Sequence, residues 1–378
     1  MAKRIFLLIV GAAFTLIAQT NQLAVQPFIQ IVDDGQMGIG WQASSSSFGI
    51  VNWKQDQPTW KTSFYAEDGL KEYGEIQRAS IDGYSPTKPL EFFVESKEHK
   101  KHGLTTQSAI LKIPQLISEK GETRFLVITD IHSRPDIYAP LIEKTGKNIN
   151  FIALGGDCVE NPASEKAVVD ALTRPMAALA QKGLPFLFLR GNHETRGDYG
   201  RFLRNHLILP REGYYGALTL GKLRLIHLDC GEDKPDDHVQ LLGITALEPH
   251  MKKQAEWLKQ ETKSEAFKKA TFRVVLIHIP INWNVEQKYW ATTQYSSLFT
   301  PTLNDSGIQA VISGHTHKSN LLLSPTNAPV AVFKGPVFIG ASWPLEKQVV
   351  TRVDVTENEM AISLVKSDGT VLSKQLFK

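Results

Sequence analysis

Arg124-Phe125-Leu126-Val127-Ile128-Thr129 runs straight into Asp130-Ile131-His132, and the reading of the whole chain starts from this stretch. A short apolar run that ends abruptly in two side chains able to bind metal reads as a buried strand whose carboxyl end opens on a site. The pattern recurs further along. Residues 149–154 lead into Gly155-Gly156-Asp157, and residues 185–189 into Arg190-Gly191-Asn192-His193-Glu194. Residues 272–277 precede His278, and residues 310–312 precede Ser313-Gly314-His315-Thr316-His317. A further apolar strand reads at 223–228. Strands alternating with helical stretches give an α/β layer architecture. In such sheets ligands bind outside the carboxyl ends of strands, so the five segments converge on one site although they span the chain.

The candidate ligands are Asp130, His132, Asp157, Asn192, His278, His315 and His317. Asp130 and His132 are two residues apart, as are His315 and His317, so extended backbone would point each pair to one face. The glycines at 155, 156, 191 and 314 permit tight turns and close backbone approach. Imidazole, carboxylate and amide oxygen without thiolate suit Mn, Fe, Zn, Co or Ni and argue against a cysteine-rich structural zinc site. Seven donors are too many for one tetrahedral ion. With a bridging carboxylate they suit two ions with open positions, the arrangement that drives phosphoryl hydrolysis.

Before this region the texture differs. From 23 to about 115, short apolar segments such as Pro27-Phe28-Ile29-Gln30-Ile31-Val32 alternate with Gly, Asp, Asn, Ser and Pro, which predicts a small all-β sandwich. Trp41, Trp53 and Trp60 are expected to pack it. After the polar connector at 118–123 the catalytic region runs from 122 to 378, its tail from 349 contributing three more strands. Helices are expected from Asn161-Pro162 towards Gly183, divided by Pro175, and over 254–269.

A formal net charge of +3 over 378 residues, with no long basic run, excludes an electrostatic nucleic-acid footprint and leaves a small-molecule partner. Met1-Ala2-Lys3-Arg4 and the apolar run 5–18 read as an export signal cleaved after Ala18, giving a periplasmic or secreted protein. The run is shorter than the roughly 20 residues of a spanning helix. Cys158 and Cys230, the only cysteines, cannot form a disulfide framework and are expected to be buried thiols.

The ordered motifs resemble those of the calcineurin-like metallophosphoesterase superfamily: DxH, GDxx, GNH(D/E), a His before a Pro, and GHxH. The resemblance implies a four-layer α/β/β/α fold. It implies one ion held by Asp130, His132, Asp157 and His317, and a second held by Asp157, Asn192, His278 and His315, with Asp157 as the bridge. It also implies that His193 contacts the phosphate, with Asn192, and protonates the leaving oxygen. A β domain ahead of the catalytic one, together with Gln254-Ala255-Glu256-Trp257-Leu258 and Ile277-His278-Ile279-Pro280, is similar to purple acid phosphatases, whose N-terminal domain is fibronectin-III-like. Those enzymes carry a Tyr where Glu160 stands and lack the His of the first motif, so a related, non-purple enzyme is expected. Phosphoprotein phosphatases share Leu189-Arg190-Gly191-Asn192-His193-Glu194, but their phosphate-gripping Arg is replaced by Asn161.

Three functions fit this pattern: a phosphomonoesterase first, then a phosphodiesterase acting on nucleotides or phospholipid head groups, then a silent scaffold of the same fold. The complete donor set and His193 speak against the scaffold. His193 could instead orient Asn192. Arg190 and Arg196 could touch substrate or pair with carboxylates, and Asp229, Asp233, Asp236 and Asp237 read as a solvated loop.

Overall fold

The computed structural model describes residues 23–100, 103–324, 328–340 and 344–378; the signal-like segment 1–18 lies outside them. Two sheets stack face to face. In the first, the strands Thr123–Ile128, Phe151–Gly155 and Phe186–Leu189 run parallel, and the tail strands Val349–Val355, Met360–Lys366 and Val371–Phe377 add on antiparallel beside Thr123–Ile128. The second orders Gly216–Leu220, Leu223–Leu228, Phe272–Ile277, Ala310–Ser313, Val337–Ile339 and Asn320–Leu322.

Alternation along each strand sorts its side chains into layers. Phe125 and Val127 point inward to meet Leu225, Val274 and Leu276 of the other sheet. Leu126 and Ile128 point outward against helical residues such as Leu141, Leu172 and Met176. On the far side, Ile226, Val275 and Val311 pack against Leu258, Tyr295 and Phe299. This is the expected four-layer α/β/β/α arrangement. Near-continuous apolar strands are required because both faces of each central strand are buried.

Every element from Val25 to Ile113 is a strand. These strands are continuous with the first sheet: Val25–Asp33 pairs in parallel with Phe186–Leu189 and antiparallel with Gln36–Lys54. Ile29 and Ile31 join the core between the sheets, whereas Val25 and Phe28 pack on the outer helices. The run Pro27 to Val32 is thus buried on both faces, which explains its lack of polar alternation. Trp41 and Trp53 are buried in the N-terminal core, and Trp60 lies edge-on against Phe93.

Local differences from the sequence reading have simple causes. Helix Glu165–Val168 begins three residues after Pro162, because Ser164 caps it by accepting from the Ala167 amide. A wide turn, Val169–Thr173, then leads into Arg174–Ala180, with Pro175 in the first turn of that segment. The expected helix over 254–269 starts earlier, as Leu247–Glu261, and is interrupted before Glu265–Lys269, where Ser264 caps a new start. No helix among the described residues is long and apolar enough to cross a membrane.

Candidate metal centre

Thr123–Ile128, Phe151–Gly155, Phe186–Leu189, Phe272–Ile277 and Ala310–Ser313 each lead at their carboxyl ends into predicted ligands, and the structure brings these ligands together. The route by which they converge differs from the expectation. Strand Thr123–Ile128 stops before Asp130, and Ala310–Ser313 stops before His315, so strand alternation does not aim these pairs. Asp130, His132, Asp157, His315 and His317 all have positive φ, between 48° and 71°. All five are Asp or His, which enter the left-handed region more readily than most non-glycine residues. Such backbone is costly and clusters where a site demands it. Gly156, at φ +99°, has the His278 ring and Gly191 so close that a Cβ there would clash.

One group of donors comprises Asp130, His132 and His317, and another Asp157, His278 and His315. His132 Nε2 lies 2.8 Å from His317 Nε2, and Asp130 Oδ1 lies 3.4 Å from the latter. His278 Nε2 is 3.0 Å from Asp157 Oδ2 and 3.9 Å from Asp130 Oδ1, which joins the groups. Asn192 Oδ1 meets His315 Nδ1 at 3.1 Å. His278 Nδ1 faces the Gly155 carbonyl at 2.8 Å, which leaves Nε2 as the atom turned to the carboxylates.

The electrostatics fit a bound cation. Burial would push His278 down, but Asp157 and Asp130 hold positive charge on it so strongly that it is raised to about 10. Burial acts oppositely on the carboxylates: it raises Asp130, while for Asp157 the charge of His278 outweighs it and the group is lowered. Two fully buried carboxylates ringed by imidazoles are a place where a cation is favoured, and neutral imidazole with carboxylate oxygen is the donor set for a first-row transition metal.

His193 lies beside this cup. Its Nδ1 is 2.8 Å from the Glu160 carbonyl, its Nε2 is 3.9 Å from Asp157 Oδ2, and its backbone N–H donates to Asp157 Oδ1. Arg196 Nη1 is 3.1 Å from His193 Nε2. Arg196 in turn is gripped by Glu232, Nε to Oε1 at 2.5 Å and Nη2 to Oε2 at 3.1 Å. The Glu160 carboxylate lies beside His132 Nδ1.

Several residues escaped the sequence reading. Glu194, wholly buried, accepts four backbone amides: Asp157, Cys158, Val159 and Gly191, at 2.6–3.0 Å. It ties the Asp157 turn to the Asn192 loop. The signal was present, since an acidic residue follows Asn192-His193 inside an apolar context. Tyr289 donates to Asp233 Oδ2 at 3.0 Å and meets His315 Nε2 at 3.1 Å. It was legible only as part of a loop. The acidic stretch after Leu228 is not simply solvated: Asp229 is fully buried, bound by Arg190 and by His250 Nε2 at 2.9 Å. Its partners lie 39 and 21 residues away, which local pattern does not reveal. Cys158 and Cys230 are both free and buried, as expected.

Comparison with known proteins agrees with the fold. A purple acid phosphatase from yellow lupin (Lupinus luteus) seeds is similar at 12% identity and a TM-score of 0.71, over 93% of this chain and 74% of that one. An uncharacterized, predicted phosphoesterase from Streptococcus pneumoniae matches at 10% identity and a TM-score of 0.32, over 68% of this chain and 97% of its own. A Saccharomyces cerevisiae serine/threonine phosphatase matches at 13% identity and a TM-score of 0.32, over 62% and 73%. No curated protein matches. The sequence matches the calcineurin-like phosphoesterase family over residues 123–319, just over half the chain, and the protein therefore belongs to that family.

Proposed function

We propose that this protein is a phosphomonoesterase that uses two metal ions. Asp130, His132, Asp157 and His317 would hold one ion, and Asp157, Asn192, His278 and His315 the other. The convergence of these donors on one cup beside His193 carries the reading. Such ions, when bound, polarise the phosphoryl oxygens and acidify water enough for attack near neutral pH; Mn, Fe and Zn all suit the donors.

The chain supplies the rest. His193 Nδ1 donates to the Glu160 carbonyl, which fixes the ring and turns Nε2 to the cup; as the imidazolium, the ring would hand its Nε2 proton to the leaving oxygen. Arg196, anchored by Glu232, places a fixed positive charge next to that nitrogen. A phosphate oxygen seated between Arg196 Nη1 and His193 Nε2 would accept from both. A donor in that place suits the terminal oxygens of a monoester, and it would stand in for the phosphate-gripping Arg missing at Asn161. Tyr289 and Asp233 flank the opposite side of the cup.

The substrate is a small phosphate ester, and the signal-like segment 1–18 supports export to the periplasm or the medium. The test is metal analysis of the purified chain together with hydrolysis of a chromogenic phosphomonoester and its diester analogue, each with and without Mn²⁺. About two metals per chain with faster monoester cleavage is the expected result. Faster diester cleavage would replace the monoesterase reading with a phosphodiesterase, and metal-free, inactive protein would replace both with the scaffold.

A further inference from the structure

Behind the loop that carries Asn192 and His193 lies a cleft of about 650 Å³, lined by none of the candidate metal ligands. Arg190 and Thr195 form part of its wall from that loop, Arg201, Arg204 and Arg211 from the segment that follows, and Arg78 from the N-terminal strands. Five arginines thus line one cavity in a chain whose formal net charge is only +3, and the lining offers a single carboxylate, Glu212.

Two of the five are already committed. Arg190 is bound by buried Asp229 and lies over the Tyr214 ring. Arg78 pairs with Glu72 at 3.3 Å and donates to the carbonyls of Arg204 and Leu207. The other three, Arg201, Arg204 and Arg211, are exposed and form no ion pair among the described residues. In the same lining, the Thr245 hydroxyl is buried without a hydrogen-bond partner among the described residues. Like charges gathered in a concave site repel one another, and a protein that keeps them there gains most when an anion enters.

We propose that this cleft binds a small polyanion bearing two or more phosphate groups, at a site separate from the metal centre. A guanidinium fork matches a phosphate in two parallel hydrogen bonds, and three uncommitted forks can take more than one phosphate. The volume falls within the range of small-molecule pockets, roughly 300–1,000 Å³. The site is a concave cleft of limited volume, which suits a compact ligand and not a polymer.

The test uses the full chain and 1,3,6-naphthalenetrisulfonate, a trianion with no bond for the metal centre to cleave and little affinity for metal ions. Calorimetry should show one site, and inorganic tripolyphosphate should displace the probe. The R201Q/R204Q/R211Q variant should bind at least about tenfold more weakly, since each charge-assisted hydrogen bond is worth that much. Hydrolysis of the chromogenic monoester and the circular dichroism spectrum should stay unchanged. Replacing the same three residues by Lys keeps the charge and should restore much of the affinity, which separates charge recognition from damage to the fold. Failure of the wild type to bind, or equal affinity in the Gln variant, would overturn the proposal. Both readouts are independent of whether the metal centre cleaves a monoester.

Discussion

Two sets of buried carboxylates lie on the same few loops and are held in opposite ways. Glu194, Glu232 and Asp229 form a collar in which each is satisfied by a permanent donor: four backbone amides for the first, Arg196 for the second, and Arg190, with His250 beside it, for the third. Asp130 and Asp157 form a cup. Each accepts backbone N–H of a neighbouring loop, from His315 and His193 respectively, and otherwise faces imidazole nitrogens that can exchange a proton for a metal. Burial of charge is common to both sets and therefore does not mark function. What distinguishes the cup is that its partners are labile and its backbone is left-handed, whereas the collar is closed.

If this division is right, mutations in the cup should remove chemistry and mutations in the collar should remove stability. The largest effect is expected from Asp157→Ala, which takes a donor from both ion positions. Metal content by mass spectrometry and monoester turnover should both fall to background. Retained metal with retained turnover would remove Asp157 from the cup. Next comes His193→Ala, expected to lower kcat by roughly 10²–10⁴-fold, the range for a lost general acid, with metal content intact. Loss of both metals in that variant would move His193 from proton donor to positioning residue.

Glu194→Ala tests the collar. It strands four buried amides and should cost about 3–5 kcal/mol of stability in urea unfolding, the range for removing one partner of a buried charged network. Turnover per folded molecule should fall less than in His193→Ala. The reverse pattern, stability intact and turnover lost, would put Glu194 in the cup.

How much of this was legible in the sequence follows the same division. The cup was legible residue by residue, because its chemistry is written in short strings at strand ends and the order of those strings implies convergence. The layers were legible too, since strands such as Phe272–Ile277 are apolar along their whole length. Three things were not. The left-handed backbone of Asp130 and His315 depends on how two sheets abut and not on local propensity. The place of Val25–Asp33 beside Phe186–Leu189 is a pairing across more than 150 residues, and a strand carries no mark of its distant neighbour. The collar was misread at Asp229, which resembles a loop residue until Arg190 and His250 are brought to it.

Asp229 also gives the smallest and most specific way to separate the two sets. Burial alone would raise its carboxyl, but the charge of Arg190, with help from His250, outweighs burial and holds it at about 2, below its usual 3.8. A group whose folded value is depressed contributes stability that is complete above the unfolded value and is lost as the pH falls through the folded one. The window therefore runs from about pH 4 down to about pH 2, and the contribution at neutral pH is about 2 kcal/mol. Urea unfolding at pH 7, 5, 4 and 3 should show Asp229→Asn less stable than wild type at pH 7, with the gap narrowing below pH 4. The carboxylates of the cup titrate in both proteins, so their contribution cancels in the difference. A gap that stays constant on acidification would mean that Arg190 does not keep Asp229 ionised, and the collar would then differ from the cup only in position.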